Sequence, residues 1–92
     1  MNRIFVKTPK EQSMQIADNL KRLRKGRKIS LRALAEMSDV SYASLRRFEE
    51  SGEISLKSLI KVAIVLDATD PLDRLFNETE IRSIEELINR NR

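Results

Sequence analysis

"ISLRALAEMSDVSYASLRRFEE", residues 29–50, contains two helix starts only eleven residues apart. Each start reads apolar–Ser–three residues–Leu. "ISLRAL" (29–34) and "VSYASL" (40–45) share the pattern, and "ISLKSL" (54–59) repeats it. The serine side chain can accept a hydrogen bond from a free amide of the first turn. The apolar residue before it can pack on the leucine after it as a hydrophobic staple. Ile29 then meets Leu34, Val40 meets Leu45, and Ile54 meets Leu59. The short spacing confines one helix to Leu31 through about Met37, followed by a tight turn near Ser38–Asp39. Asp tolerates the left-handed backbone that such turns need. The next helix runs from Tyr42 to about Glu50, and Gly52 in "ESGE" (50–53) ends it.

The rest of the chain reads as helix on both sides of this pair. Thr8, Pro9 and Glu11 form a capping box with proline at the first helical position. Met14, Ala17, Leu20 and Leu23 follow at helical spacing, so a helix is expected over about Pro9 to Lys25. Gly26 weakens its end. Beyond Gly52 a helix is expected over Leu56–Leu66, with Leu56, Leu59, Ile60, Ala63 and Leu66 as its apolar stripe. Asp70 is expected to cap a short helix, "PLDRLF", that starts at Pro71. A last helix is expected from Ser83, with Glu86 closing a capping box and Ile84, Leu87 and Ile88 apolar. Residues 1–8, "MNRIFVKT", are open to three readings: a short strand, an arm or a frayed end.

Composition agrees with a small helical domain. Of 92 residues, 35% are charged and 4% aromatic, and Gly and Pro number two each. Such a chain can bury a modest core but not a deep catalytic cleft. It has no Cys and no His. That excludes thiol chemistry, imidazole general-base chemistry and Cys/His zinc sites. No apolar run approaches a membrane span, and the start lacks the apolar core of a secretion signal. A cytoplasmic protein with no cofactor, no metal and no membrane partner is expected. The adjacent carboxylates Glu49/Glu50 and Glu85/Glu86 point in different directions on a helix, so no enzyme is expected either.

The net charge of +4 is unevenly spread: residues 1–47 carry +8 and residues 48–92 carry −4. "KRLRKGRK" (21–28) places six cations in eight positions. It is either a solvated helix face or a surface that meets phosphates.

Two short helices joined by a tight turn must cross at a steep angle. Ala35 is the small residue expected at the crossing, with Leu34, Val40, Leu45 and Phe48 around it. With those residues inward, the 42–50 helix turns Tyr42, Ala43, Arg46 and Arg47 outward. Tyr42/Arg46 and Ala43/Arg47 are each four apart and form two neighbouring rows. A helix with short side chains and two guanidinium forks suits a major groove. The forks match the two acceptors of guanine, and the Ala43 methyl can approach a thymine methyl. Ser30 and Lys57 lie near helix starts, where free amides and the positive dipole end suit phosphates.

Residues 20–66 with Asn19 in front, "NLKRLRKGRKISLRALAEMSDVSYASLRRFEESGEISLKSLIKVAIVL", resemble the helix-turn-helix domain of the XRE family, the Cro and CI-type repressors. The caps, staples, small crossing residue and "LR…S…LA…VS…L…FE" framework carry the resemblance together, over about half the chain. It implies a compact all-α, lambda-repressor-like DNA-binding domain of five to six helices, with helices 2 and 3 as the helix-turn-helix. It implies that helix 3 reads the bases, with Tyr42, Ala43 and Arg47 nearest them and Ser44 and Arg46 reaching bases or backbone. Lys28, Ser30, Ser41, Ser55 and Lys57 become the candidates for phosphate contacts. Arg24 and Glu49 occupy the places of a structural ion pair. Three positions depart from the family pattern. Leu31 replaces a frequent phosphate-contacting Gln, which weighs against that contact. Asp39 and Lys28 replace glycines.

The expected organisation is one domain over 1–92. Residues 9–76 form the helix-turn-helix core, 77–92 a C-terminal helix for dimer or partner contact, and 1–8 an N-terminal arm or strand. The expected partner is double-stranded operator DNA, bound by a homodimer that represses its own operon. The dimer contact is expected from residues 67–92 or from "RIFVK" (3–7) as a paired strand, with a minor-groove arm as the other reading of 3–7. A weaker resemblance, in "SLRRFEESGEISLKSLIKVAIVL" followed by "DPLDRLF" and then "SIEELI", is to the HipB-like antitoxins, which pair with HipA-type kinases. It implies a toxin or kinase partner beside the DNA.

Overall fold

The computed structural model describes residues 6–77 and residue 88. Five helices follow one another there: α1 (Pro9–Gly26), α2 (Leu31–Ser38), α3 (Tyr42–Ser51), α4 (Leu56–Val65) and α5 (Asp70–Asp73). The described residues contain no strand. The helix expected from Ser83 lies outside them apart from Ile88, and so do Met1–Phe5 of the N-terminal segment.

Local chemistry sets the helix starts. At α1 the Thr8 hydroxyl accepts from the Glu11 amide at 3.1 Å, and the Glu11 carboxylate accepts from the Thr8 amide at 2.8 Å. Two amides without an intrahelical partner are satisfied reciprocally. These bonds also hold the Glu11 carboxyl below its ordinary pKa. Ser30, Ser41 and Ser55 sit in extended backbone before α2, α3 and α4. Their hydroxyls accept from Ala33, Ser44 and Ser58 amides at 3.0, 3.1 and 3.1 Å. Each such cap is worth about 1 kcal/mol.

The turns use the left-handed region. Asp39 (φ 58°) reverses the chain between α2 and α3, and Gly52 (φ 80°) closes α3. Lys28 adopts φ 58° before α2. Gly52 is needed twice over. A Cβ there would stand 2.8 Å from the Ser13 Cβ and 2.9 Å from the Ser13 carbonyl carbon, so only glycine lets the end of α3 press onto α1.

α2 packs against both α3 and α4, and α1 packs on α3. Leu34, Val40, Leu45, Val62 and Leu66 form the buried centre. Ile29, Ala35, Ile54, Leu20 and Leu23 pack around them, so the small residue and the staple residues meet at the crossing. Each fully buried leucine or valine contributes about 1.5–3 kcal/mol. The buried Ser38 hydroxyl donates to the Leu34 carbonyl at 2.6 Å and leaves no polar group stranded in this centre.

Two expectations are corrected. Leu56 is 66% exposed and Ile60 39%, while Val62 is 1% exposed. The inner face of α4 is therefore Leu59, Val62, Ala63 and Leu66, a rotation of the expected stripe. α4 is apolar on nearly every side, so its period could not choose a face; packing against α2 chose it. The cap of the short helix is also displaced. The Asp73 amide bonds the Thr69 carbonyl at 2.9 Å, so α5 begins at Asp70 with Thr69 in front, and no side chain caps it. α5 stops at Asp73 rather than running to Phe76, which has a left-handed backbone (φ 64°).

Candidate nucleic-acid interface

α3 has two unlike faces. Leu45 and Phe48 are buried, and Ala43, Ser44, Arg46 and Arg47 are exposed. Tyr42, at the first turn, is half-buried because the Arg32 guanidinium of α2 lies over its ring, 4.4 Å from the centroid. This cation–π contact braces the ring against the preceding helix.

Tyr42, Ala43, Arg46 and Arg47 line one shallow cleft of about 390 Å³, together with Glu50 and Ser51. A second cleft of similar size lies between α3 and the start of α4, lined by Ser44, Arg47, Glu53, Ile54, Ser55 and Ser58. Arg47 belongs to both. Ser55 is thus brought beside Ser44 and Arg47. Lys28, Ser30 and Lys57 line neither cleft; all three are exposed, Ser30 and Lys57 at helix starts. Ser41 and Ser44 are joined, Ser41 Oγ lying 2.8 Å from Ser44 Oγ.

Both outward arginines have carboxylate partners. Arg46 Nε donates to Glu50 at 3.1 Å, and Arg47 donates to Glu53. The Glu50 carboxylate raises the Arg46 pKa above its ordinary value, and Tyr42 adds to the shift. The Arg46–Glu50 spacing, four along a helix, is legible in the sequence. Glu53 is not, because it reaches back past the Gly52 turn. Arg32 was missed for a similar reason: it meets Tyr42 across the Asp39 turn.

The basic run 21–28 is neither one solvated face nor one binding face. Arg24 is buried. It donates to both oxygens of Glu49, at 2.9 and 3.2 Å, and to the Ile29 carbonyl at 2.9 Å. This bidentate pair ties α1 to α3. Arg27 donates to the Leu66 carbonyl and ties the end of α1 to the end of α4. Arg22 donates to Asn19 at 2.6 Å. Lys25 and Lys28 stay exposed.

Among the described residues, no group of three or more His, Cys, Asp or Glu is placed to hold a metal ion. Nor is any described helix long and apolar enough to cross a membrane. No curated protein and no solved structure matched the chain. The helix-turn-helix family matches it over residues 20–73, more than half of its length, from the last turns of α1 to the end of α5. The chain belongs to that family, the XRE-type helix-turn-helix proteins, and at the family level it is a DNA-binding transcription regulator.

Proposed function

We propose that the protein is a repressor of its own operon that binds a palindromic operator as a homodimer, with α3 in the major groove. The observation that carries this reading is the two-faced α3. Its inner residues are consumed by the core, and its outer residues are short or guanidinium-bearing. In this reading Tyr42, Ala43, Ser44, Arg46 and Arg47 meet bases. Lys28, Ser30, Ser41, Ser55 and Lys57 meet phosphates. The exposed serines at the starts of α2, α3 and α4 support the phosphate assignment. One recognition helix spans few base pairs, so two copies one DNA turn apart are needed to read a full site. Residues 9–76 form the DNA-binding core, 77–92 supply dimer or partner contact, and 1–8 act as an arm or strand. The protein acts in the cytoplasm on nucleoid DNA.

The test is a titration against the protein's own upstream DNA, beside scrambled duplex, at several salt concentrations. Tight, preferential binding to a palindrome supports the reading. Weak binding, equal on both and lost with salt, overturns it.

A second reading, an antitoxin that also holds a toxin or kinase, is favoured by one observation. Leu75 and Phe76 are exposed just beyond α5, Phe76 at 80%. Beside α5, Ile16, Leu20, Leu23, Leu59, Ala63 and Leu72 line an apolar cavity of about 240 Å³. Such a surface suits a protein partner. Co-purification of the protein expressed with its neighbouring gene product tests it; separate elution of the two sinks it.

A further inference from the structure

The outward arginines of α3 are not free. Arg46 is paired with Glu50 and Arg47 with Glu53, and all four side chains are 60–68% exposed. Pairs this exposed are weak and open easily. They nonetheless cancel the positive charge of the face that the proposed function turns toward DNA. Two guanidiniums and two carboxylates sum to zero there.

This cancellation acts differently on different DNA. Affinity for arbitrary duplex comes from cations that neutralise phosphates and release counterions. A guanidinium already neutralised adds little to that. Exchanging its carboxylate for a phosphate swaps one anion for another and leaves the freed carboxylate beside a polyanion. Guanine offers a fork of two neutral acceptors, and cytosine an amino donor that a freed carboxylate can use. Only duplex with such edges in register repays the opening of the pairs.

We propose that Glu50 and Glu53 are specificity-determining residues that hold Arg46 and Arg47 away from arbitrary DNA until matching base edges replace them. The proposal rests on the reading that the outer face of α3 meets DNA.

The probes are the duplex that the full chain enriches from a randomised pool and a composition-matched scramble of it. Glu53→Gln and Glu50→Gln are compared with Asp73→Asn, which adds the same charge on α5. Each Glu→Gln change is expected to raise affinity for the scramble about two- to fivefold beyond Asp73→Asn. It steepens the salt slope on the scramble by about one. Affinity for the enriched duplex rises less, so discrimination falls. In an Arg47→Ala background, Glu53→Gln raises the scramble affinity no more than Asp73→Asn does. Equal gains on both duplexes, or a gain beyond that of Asp73→Asn that survives Arg47→Ala, overturn the proposal: the carboxylates then act as general charge. A larger loss on the enriched duplex also overturns it, because the carboxylate is then a base contact only. If no duplex is enriched, the reading of α3 as a DNA face fails, and the proposal fails with it.

Discussion

At Gly52 a single hydrogen decides how closely two helices approach. Gly52→Ala places a methyl group against Ser13 and forces a left-handed alanine. It should destabilise the fold by about 1–3 kcal/mol, read as a lower denaturant midpoint with an unchanged slope. Gly26, at the end of α1, has nothing within 4 Å of its would-be Cβ. Gly26→Ala should be neutral or stabilising by up to about 1 kcal/mol. The sequence marks both glycines as breakers, yet only the first has a neighbour that forbids a side chain. Arg47, between two clefts, belongs to the binding side of the ledger. Arg47→Ala should weaken binding to the preferred duplex by about 1–3 kcal/mol and relax preference at one base. Uniform loss on all sequences would reveal a phosphate contact instead.

At the scale of the element, capping chemistry made the helices legible. Three Ser caps, one capping box and two left-handed turn residues lie where the residue types alone put them. Ser41→Ala should cost about 1 kcal/mol and loosen the start of α3 first, seen as faster amide exchange at Ala43 and Ser44. Glu11 supplies a pH signature. Its folded pKa is depressed, so its contribution is present above the ordinary carboxylate range and is lost as pH falls through the folded value. Protection of the first amides of α1, relative to their intrinsic exchange rates, should therefore fall as pH drops below the ordinary carboxylate range, and less so in Glu11→Gln. What stayed illegible had physical causes. α4 is apolar nearly all round, so no period marked its inner face. α5 is too short to carry a pattern, and its start is set by a carbonyl bond rather than a side chain. Glu53 and Arg32 reach their partners across turns, where sequence spacing says nothing about distance.

Across the whole molecule, two arginines of the basic run act as ties. Arg24 binds α1 to α3 through Glu49, and Arg27 binds it to α4. Glu49→Ala strands a buried guanidinium and should cost about 3–5 kcal/mol, measured by urea denaturation. Replacing both partners by apolar residues should recover much of that loss. The salt dependence of DNA binding accordingly rests on fewer cations than the count suggests. Lys57→Ala should weaken binding to every duplex alike and flatten the salt slope by about one. An unchanged slope would remove Lys57 from the interface. The division of labour within α3 has a further consequence, for descent. Leu45 and Phe48 carry the fold, while positions 42, 43, 46 and 47 carry little of it. A lineage can rewrite those four codons and acquire a new target without first accumulating stabilising changes elsewhere. Duplicated copies of such a gene can therefore diverge in address while keeping one scaffold.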